Sequence, residues 1–151
     1  MARLVLTNCK ITINSVDLSE YITSVTLGST FDVLETTAFG NTGDPFGTPP
    51  TGANTPAAAK SRIAGLVDNS LALEFHQDFA ASEVEATIFP LLGTVTEVVV
   101  QPVDAATSAT NPTYTFKALV SEWTPLNGAV GELATASVTW PISGPVTKAT
   151  S

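Results

Sequence analysis

The sequence predicts a mainly β protein, a β-sandwich or small barrel with one α-helix flanking it and one long loop arm. Three observations predict this. Thr is the commonest residue, with Val and Ala close behind, while 10 Gly and 10 Pro punctuate the chain; β-branched residues between frequent turn formers suit short strands. Several segments alternate apolar and polar residues with the period of a half-buried strand. Only one segment carries a helical stripe. The chain of 151 residues is expected to form one domain.

The elements follow in order. Residues 9–13 place Cys9, Ile11 and Ile13 on one face, with Lys10 and Thr12 on the other. Residues 14–21 read as a polar turn, and residues 23–27 alternate again up to Gly28. Residues 31–38 form a third candidate strand, with Phe31, Val33, Glu35 and Thr37 on one side. Residues 64–70 read as a turn feeding the strand 71–76, where Leu71, Leu73 and Phe75 alternate with Ala72, Glu74 and His76.

The helix follows. Ser82 and Glu85 have the spacing of a capping box, and Val84, Ile88, Leu91 and Leu92 fall on one stripe. Pro90 and Gly93 limit it. Strands are then expected at 94–103, 113–123 and 133–140, with Asn127-Gly128 as a turn and 145–151 as a C-terminal tail. Val98, Val99 and Val100 are apolar on both faces, so both should be covered.

Between residues 39 and 59 all periodicity stops, and Pro45, Pro49, Pro50 and Pro56 interrupt the chain. Structureless loops this long are uncommon within compact domains. Phe39 and Phe46 favour an arm, from about 40 to 60, that orders against a neighbouring subunit, because a solvated linker rarely carries aromatics.

Charge narrows the function. Fourteen acidic residues against six Lys and Arg give a formal net charge of −8. Nucleic-acid binding needs clustered cations, and a basic membrane-facing surface is equally disfavoured. One Cys and one His leave no disulfide framework and no Cys- or His-rich metal site. No apolar run approaches the roughly 20 residues of a spanning helix. Leu4-Val5-Leu6 ahead of Cys9 is short of the roughly 7–15 residues of a signal core, so the expectation is folding in a cytoplasm.

Catalytic constellations are thin. Cys9 and His76 are the sole thiol–imidazole combination, and both sit in strand patterns. Glu83 and Glu85 complement the dipole of the helix start. Glu74 and Asp78 form a bare carboxylate pair with no supporting motif. There is no phosphate-binding loop and no nucleophile elbow. The expectation is no enzyme, no cofactor and no metal. Trp123 and Trp140 each stand before a proline-containing turn, as core anchors or as interface anchors.

Three segments, in this order, resemble a known family: residues 16–27 as a turn leading into a strand, residues 31–40 ahead of a long loop, and the ending Ala136-Ser137-Val138-Thr139-Trp140-Pro141-Ile142-Ser143-Gly144. Together with the helix between the middle strands, they are similar to the tail tube (major tail) proteins of long-tailed bacteriophages. The resemblance covers about residues 10–144. It implies a tail tube fold, and a virion protein assembled in the host cytoplasm as hexameric rings stacked into a hollow tube that passes DNA without binding it. It also implies contact with tape-measure, tail-terminator and baseplate or tip proteins, and no membrane insertion.

On this reading the loop residues Phe39, Asp44, Phe46, Pro49 and Pro50 bridge subunits, and Trp123 and Trp140 are interface anchors. Six copies at −8 carry −48. A net acidic wall would repel phosphates over the screening length of roughly 8–10 Å. Glu35, Glu74, Glu97 and Glu122 are the candidate lumen-facing acids. The alternative reading is a monomeric immunoglobulin-like adhesion or carbohydrate-binding domain; a capsid-decorating protein is a third.

Overall fold

The computed structural model describes residues 3–37 and 60–151. The strands are β1 (Lys10–Ile13), β2 (Val16–Asp17), β3 (Ile22–Glu35), β4 (Arg62–His76), β5 (Val95–Gln101), β6 (Thr113–Leu119), β7 (Thr135–Pro141) and β8 (Thr147–Ala149). The helix α1 (Val84–Ile88) runs into a single 3₁₀ turn, Phe89–Leu91. Contacts divide the chain into two units, Met1–Ser29 with Asn69–Ser151, and Thr30–Asp68.

Two antiparallel sheets form, one of five strands in the order β2-β1-β5-β6-β8 and one of three in the order β3-β4-β7. They do not close on each other, so the barrel expectation gives way to an open sandwich. Within the larger unit, alternation builds the core between the sheets. Ile11, Ile13, Val98, Val100, Phe116 and Ala118 come from one sheet, and Leu71, Leu73, Phe75, Ala136, Val138 and Trp140 from the other. Leu18 and the helix residues Val84 and Ile88 complete it.

Local chemistry explains the elements. Asn14 and Ser15 take φ of 50° and 67° between Ile13 and Val16, which pair directly. Two consecutive left-handed residues make the turn whose twist matches a tight hairpin. The Pro90 ring has no N–H to donate, and the helix tightens into the 3₁₀ turn there.

Several expectations fail. Residues 23–27 and 31–38 are not two strands: β3 runs unbroken through Gly28, where an added Cβ would meet only Ser70 Oγ at 3.7 Å. Residues 64–70 are not a turn but the first half of β4. Gly65 serves there as a close-approach residue, since a Cβ would lie 3.0 Å from Asp32 Cβ. The capping box does not form. The N-cap is Glu83 with no side-chain bond, and Ser82 has φ 67°. Leu92 is exposed, so the expected helical stripe stops at Leu91.

Two strand ends also differ. β6 ends at Leu119 rather than at 123, and the tail contributes β8. Only one face of β5 is fully buried, through Thr96, Val98 and Val100; Val99 is half-buried on the other.

Candidate assembly surfaces

The thiol and the imidazole are not joined. Cys9 Sγ donates to the Gln101 carbonyl at 3.1 Å, and burial pushes the thiol pKa up. His76 Nδ1 is buried without a partner. Among the described residues no three His, Cys, Asp or Glu side chains cluster as metal ligands. Asp78 is engaged locally, accepting from Ala80 N at 2.8 Å. No described helix is long and apolar enough to cross a membrane.

Both tryptophans are held by the subunit itself. Trp140 is fully buried, and its indole N–H donates to the Glu122 carbonyl at 2.9 Å. That placement corrects its reading as an interface anchor: the side chain has no surface left to offer. Trp123 is half-buried. Its indole N–H donates to Glu85 Oε2 at 2.7 Å, and its ring meets Phe75 edge-on at 5.5 Å. Gln77 Nε2 donates to the same Glu85 oxygen and to the Pro125 carbonyl. Glu85 therefore clamps the tryptophan and does not close a capping box.

Within the larger unit, the candidate acids Glu74 and Glu97 do not share a face. Glu74 is on the outward face of the three-stranded sheet, opposite Ser137. Glu97 is on the outward face of the five-stranded sheet, opposite Lys117. These faces lie on opposite sides of the core, so one wall holds Glu74 or Glu97 and not both. Glu35, in the smaller unit, pairs with Lys60 at 3.6 Å. Glu122 lies beyond the end of β6, off the strands, and its carboxylate accepts the Thr139 N–H at 2.7 Å.

The two faces also differ in charge. The outer face of the five-stranded sheet presents Lys117 opposite Glu97, and Lys10 and Asp17 on β1 and β2; Lys10 also reaches Asp104 at 3.1 Å. In the larger unit the strands of the other sheet, residues 22–29, 69–76 and 135–141, contain no Lys or Arg and one acid, Glu74. Outward positions there are small or hydroxyl-bearing: Ser24, Thr26, Ser70, Ala72, Thr135, Ser137 and Thr139.

The edges of this sheet are unequal. On β7 the outward N–H groups alternate. Thr135 N donates to the Asn127 carbonyl and Thr139 N to the Glu122 carboxylate, while Pro141 has no N–H. Only the outward N–H of Ser137 is without a partner among the described residues. On the other edge, no backbone hydrogen bond from residues 22–29 leads away from β4 among the described residues. A 530 Å³ groove runs beside β3, lined by Leu6, Cys9, Ile22, Thr23 and Val25 among others.

Apolar side chains are also left uncovered. In the smaller unit Phe31, Val33, Leu34, Ile63, Leu66 and Val67 are all exposed, Leu66 to 81%. No residue of that unit is fully buried among those described. A two-stranded ribbon without a covered face is marginal alone. The sequence reads as a strand over residues 31–38 and as a turn over residues 64–70, which hides this surface. The signal was Leu34 breaking the alternation of Phe31 and Val33. In the larger unit Leu126, Val130 and Leu133 form a second exposed set. The loop candidates Phe39, Asp44, Phe46, Pro49 and Pro50 lie outside the described residues.

No family model matches the sequence, and no curated protein matches it. Solved structures do. A chain of the virion of a native gene transfer agent particle aligns with TM-score 0.68 at 9% identity, covering 94% of this chain and 95% of that one. A chain from the tail of an empty gene transfer agent particle, described with C6 symmetry, aligns at 0.54 and 12% identity over 84% and 81%. A chain from the sixfold-symmetrised baseplate of the anti-feeding prophage aligns at 0.53 and 13% identity over 99% and 98%. The chain shares the fold of these proteins over most of its length.

Proposed function

We propose that this chain is a structural subunit of a phage-like tail, and that it assembles as hexameric rings stacked into the hollow tube that DNA traverses. Fold likeness to a virion chain, a tail chain and a baseplate chain, two of them in sixfold assemblies, supports the tail and the ring. The exposed apolar ribbon supports burial between copies, since contiguous apolar surface marks interaction sites. The loop of about 40–60, with Phe39 just before it and Phe46 within it, continues that ribbon in sequence and is proposed to join neighbouring subunits.

The observation that carries the lumen assignment is the part of the three-stranded sheet in the larger unit, residues 22–29, 69–76 and 135–141, whose outer face is hydroxyl-rich, has no Lys or Arg and has Glu74 as its one acid. A surface without Lys or Arg offers phosphates no ion pair. Repeated around a ring, Glu74 repels DNA from the wall within a Debye length of roughly 8–10 Å. Of the candidate acids, Glu74 is the one assigned here to the wall. Tape-measure, terminator and baseplate or tip proteins are the partners such a tube requires, and the virion tail is its place.

Glu74→Lys in assembled particles tests the assignment. The expected result is tails of normal length with impaired DNA ejection. Normal ejection and infectivity would overturn it.

A further inference from the structure

We propose that Asn127 is a site of spontaneous backbone modification, where the Gly128 amide closes on the Asn127 side chain and water opens the resulting succinimide to isoaspartate. This chemistry needs no partner and no assembly, so it stands apart from the tail reading above.

Asn127-Gly128 has the sequence of a tight hairpin turn, in which both central residues take a positive φ. The fold does not use the pair in that way, for neither residue takes a positive φ. The chain reverses further on. Glu132 N donates to the Ala129 carbonyl at 3.0 Å, and Gly131 supplies the left-handed residue at φ 84°. Close packing does not require Gly128 either. A Cβ there would come no nearer than 3.6 Å, to Ala134 Cα, an ordinary contact. What the absent side chain leaves is an unshielded amide nitrogen.

The rest of the site fits the reaction. Asn127 is the only Asn of the chain followed by Gly. Both residues are exposed and lie outside every strand and helix. Among the described residues the Asn127 side chain makes no hydrogen bond and the Gly128 N–H has no backbone partner. Asn69 and Asn111, by contrast, are buried with their amides donating to backbone carbonyls. Asn127 and Gly128 line an open groove of 410 Å³ with Leu126, Ala129, Glu132 and Ala134, so water reaches them.

One contact aims the chemistry. Thr135 N–H donates to the Asn127 backbone carbonyl at 3.1 Å. When the Gly128 N–H loses its proton, charge spreads onto that same oxygen, and the donor stabilises it. The nitrogen then bonds to Cγ, the Cγ–Nδ2 bond breaks, and ammonia leaves with the proton. Water next adds to the succinimide. With Thr135 N–H on the α-carbonyl, the oxyanion is stabilised there. The original Asn127–Gly128 peptide bond therefore breaks, hydroxide going to the carbonyl carbon and the proton to the nitrogen. The chain now runs through Cγ, and a free α-carboxylate remains. Water enters, ammonia leaves, and one negative charge is added beside Glu132, the one charged residue lining the groove among those described.

The experiment incubates the folded protein in mildly alkaline buffer, maps its peptides by mass spectrometry and counts isoaspartate by enzymatic methylation. Wild type, Gly128→Ala and Asn127→Ser are compared, with a free peptide of residues 124–131 as reference. In wild type the amide-to-acid mass gain should concentrate at Asn127, with isoaspartate exceeding aspartate and a rate that rises with pH. Gly128→Ala should keep the circular dichroism spectrum and slow the gain about tenfold, which is about 1.4 kcal/mol on the barrier. Asn127→Ser should abolish it.

An Asn127 that keeps its amide in the folded protein while the free peptide converts would overturn the proposal. So would equal conversion at Asn8 and Asn14, or an unchanged rate in Gly128→Ala. Aspartate as the main product would overturn the isoaspartate assignment and the part given to Thr135.

Discussion

The indole N–H of Trp123 meets Glu85 Oε2 at 2.7 Å, and that one contact ties the segment after β6 to the first turn of the helix. Gln77 shares the carboxylate oxygen, so its loss strands two donors. Glu85→Ala is expected to cost about 1–3 kcal/mol, the penalty for leaving a part-buried donor unpaired. Glu85→Gln, which keeps an acceptor, should cost less. Urea unfolding of the two variants at fixed protein concentration checks the order.

Trp140 fills the centre of the core. Trp140→Ala should cost about 3–5 kcal/mol through lost transfer energy and an unfilled cavity, and Trp140→Phe distinctly less. Were Trp140 an interface residue, the monomer would tolerate the alanine and only assembly would suffer. Thermal unfolding of the monomer separates these outcomes.

The first hairpin stores strain that can be removed. Ser15 is held at φ 67°, a region costing an L-residue roughly 1–2 kcal/mol. Ser15→Gly makes the Asn-Gly pair that this turn type prefers and should raise stability by up to about 1 kcal/mol. A lower denaturation midpoint would contradict the turn assignment.

Two side chains report their surroundings through pH. The Glu83 carboxylate beside the Tyr21 hydroxyl, then desolvation and Asp78, push the phenol up to about 12. A folded value above the unfolded value of 10.0 means that its contribution to stability is complete below pH 10 and is lost as pH rises through about 12. Ultraviolet titration should show one tyrosine ionising late, and Glu83→Gln should bring it down.

Asp17 behaves in the opposite sense. The Ser19 hydroxyl lowers its pKa, so its contribution is present above 3.8 and lost as pH falls through the lowered value. Ser19→Ala should move the Asp17 titration upward in a carboxyl NMR experiment.

How much of this was legible depended on whether a residue's partner was near in sequence. Alternation located β1 through Ile11 and Ile13 and the second half of β4 through Leu71, Leu73 and Phe75, because a buried face leaves a period of two. The first half of β4 was misread because Gly65, Asp68 and Asn69 look like turn residues. Pairing with β3, together with the Ser29–Asn69 side-chain bond at 2.6 Å, makes strand of them. The capping box failed because Glu85 is taken by Trp123, 38 residues away and outside any window around the helix. The same holds for Glu122, one candidate acid among four in the sequence, whose carboxylate accepts a backbone N–H of β7, 17 residues away. Sheet membership separated Glu74 from Glu97, and a one-dimensional pattern carries no sheet membership.

Electron microscopy of the concentrated protein, alone and with a tail-initiating complex, tests the central claim most directly. The account predicts hollow filaments of stacked sixfold rings, with the three-stranded sheet turned toward the channel. Particles that stay single under both conditions, or filaments whose channel is lined by the Lys10 and Lys117 face, would contradict it.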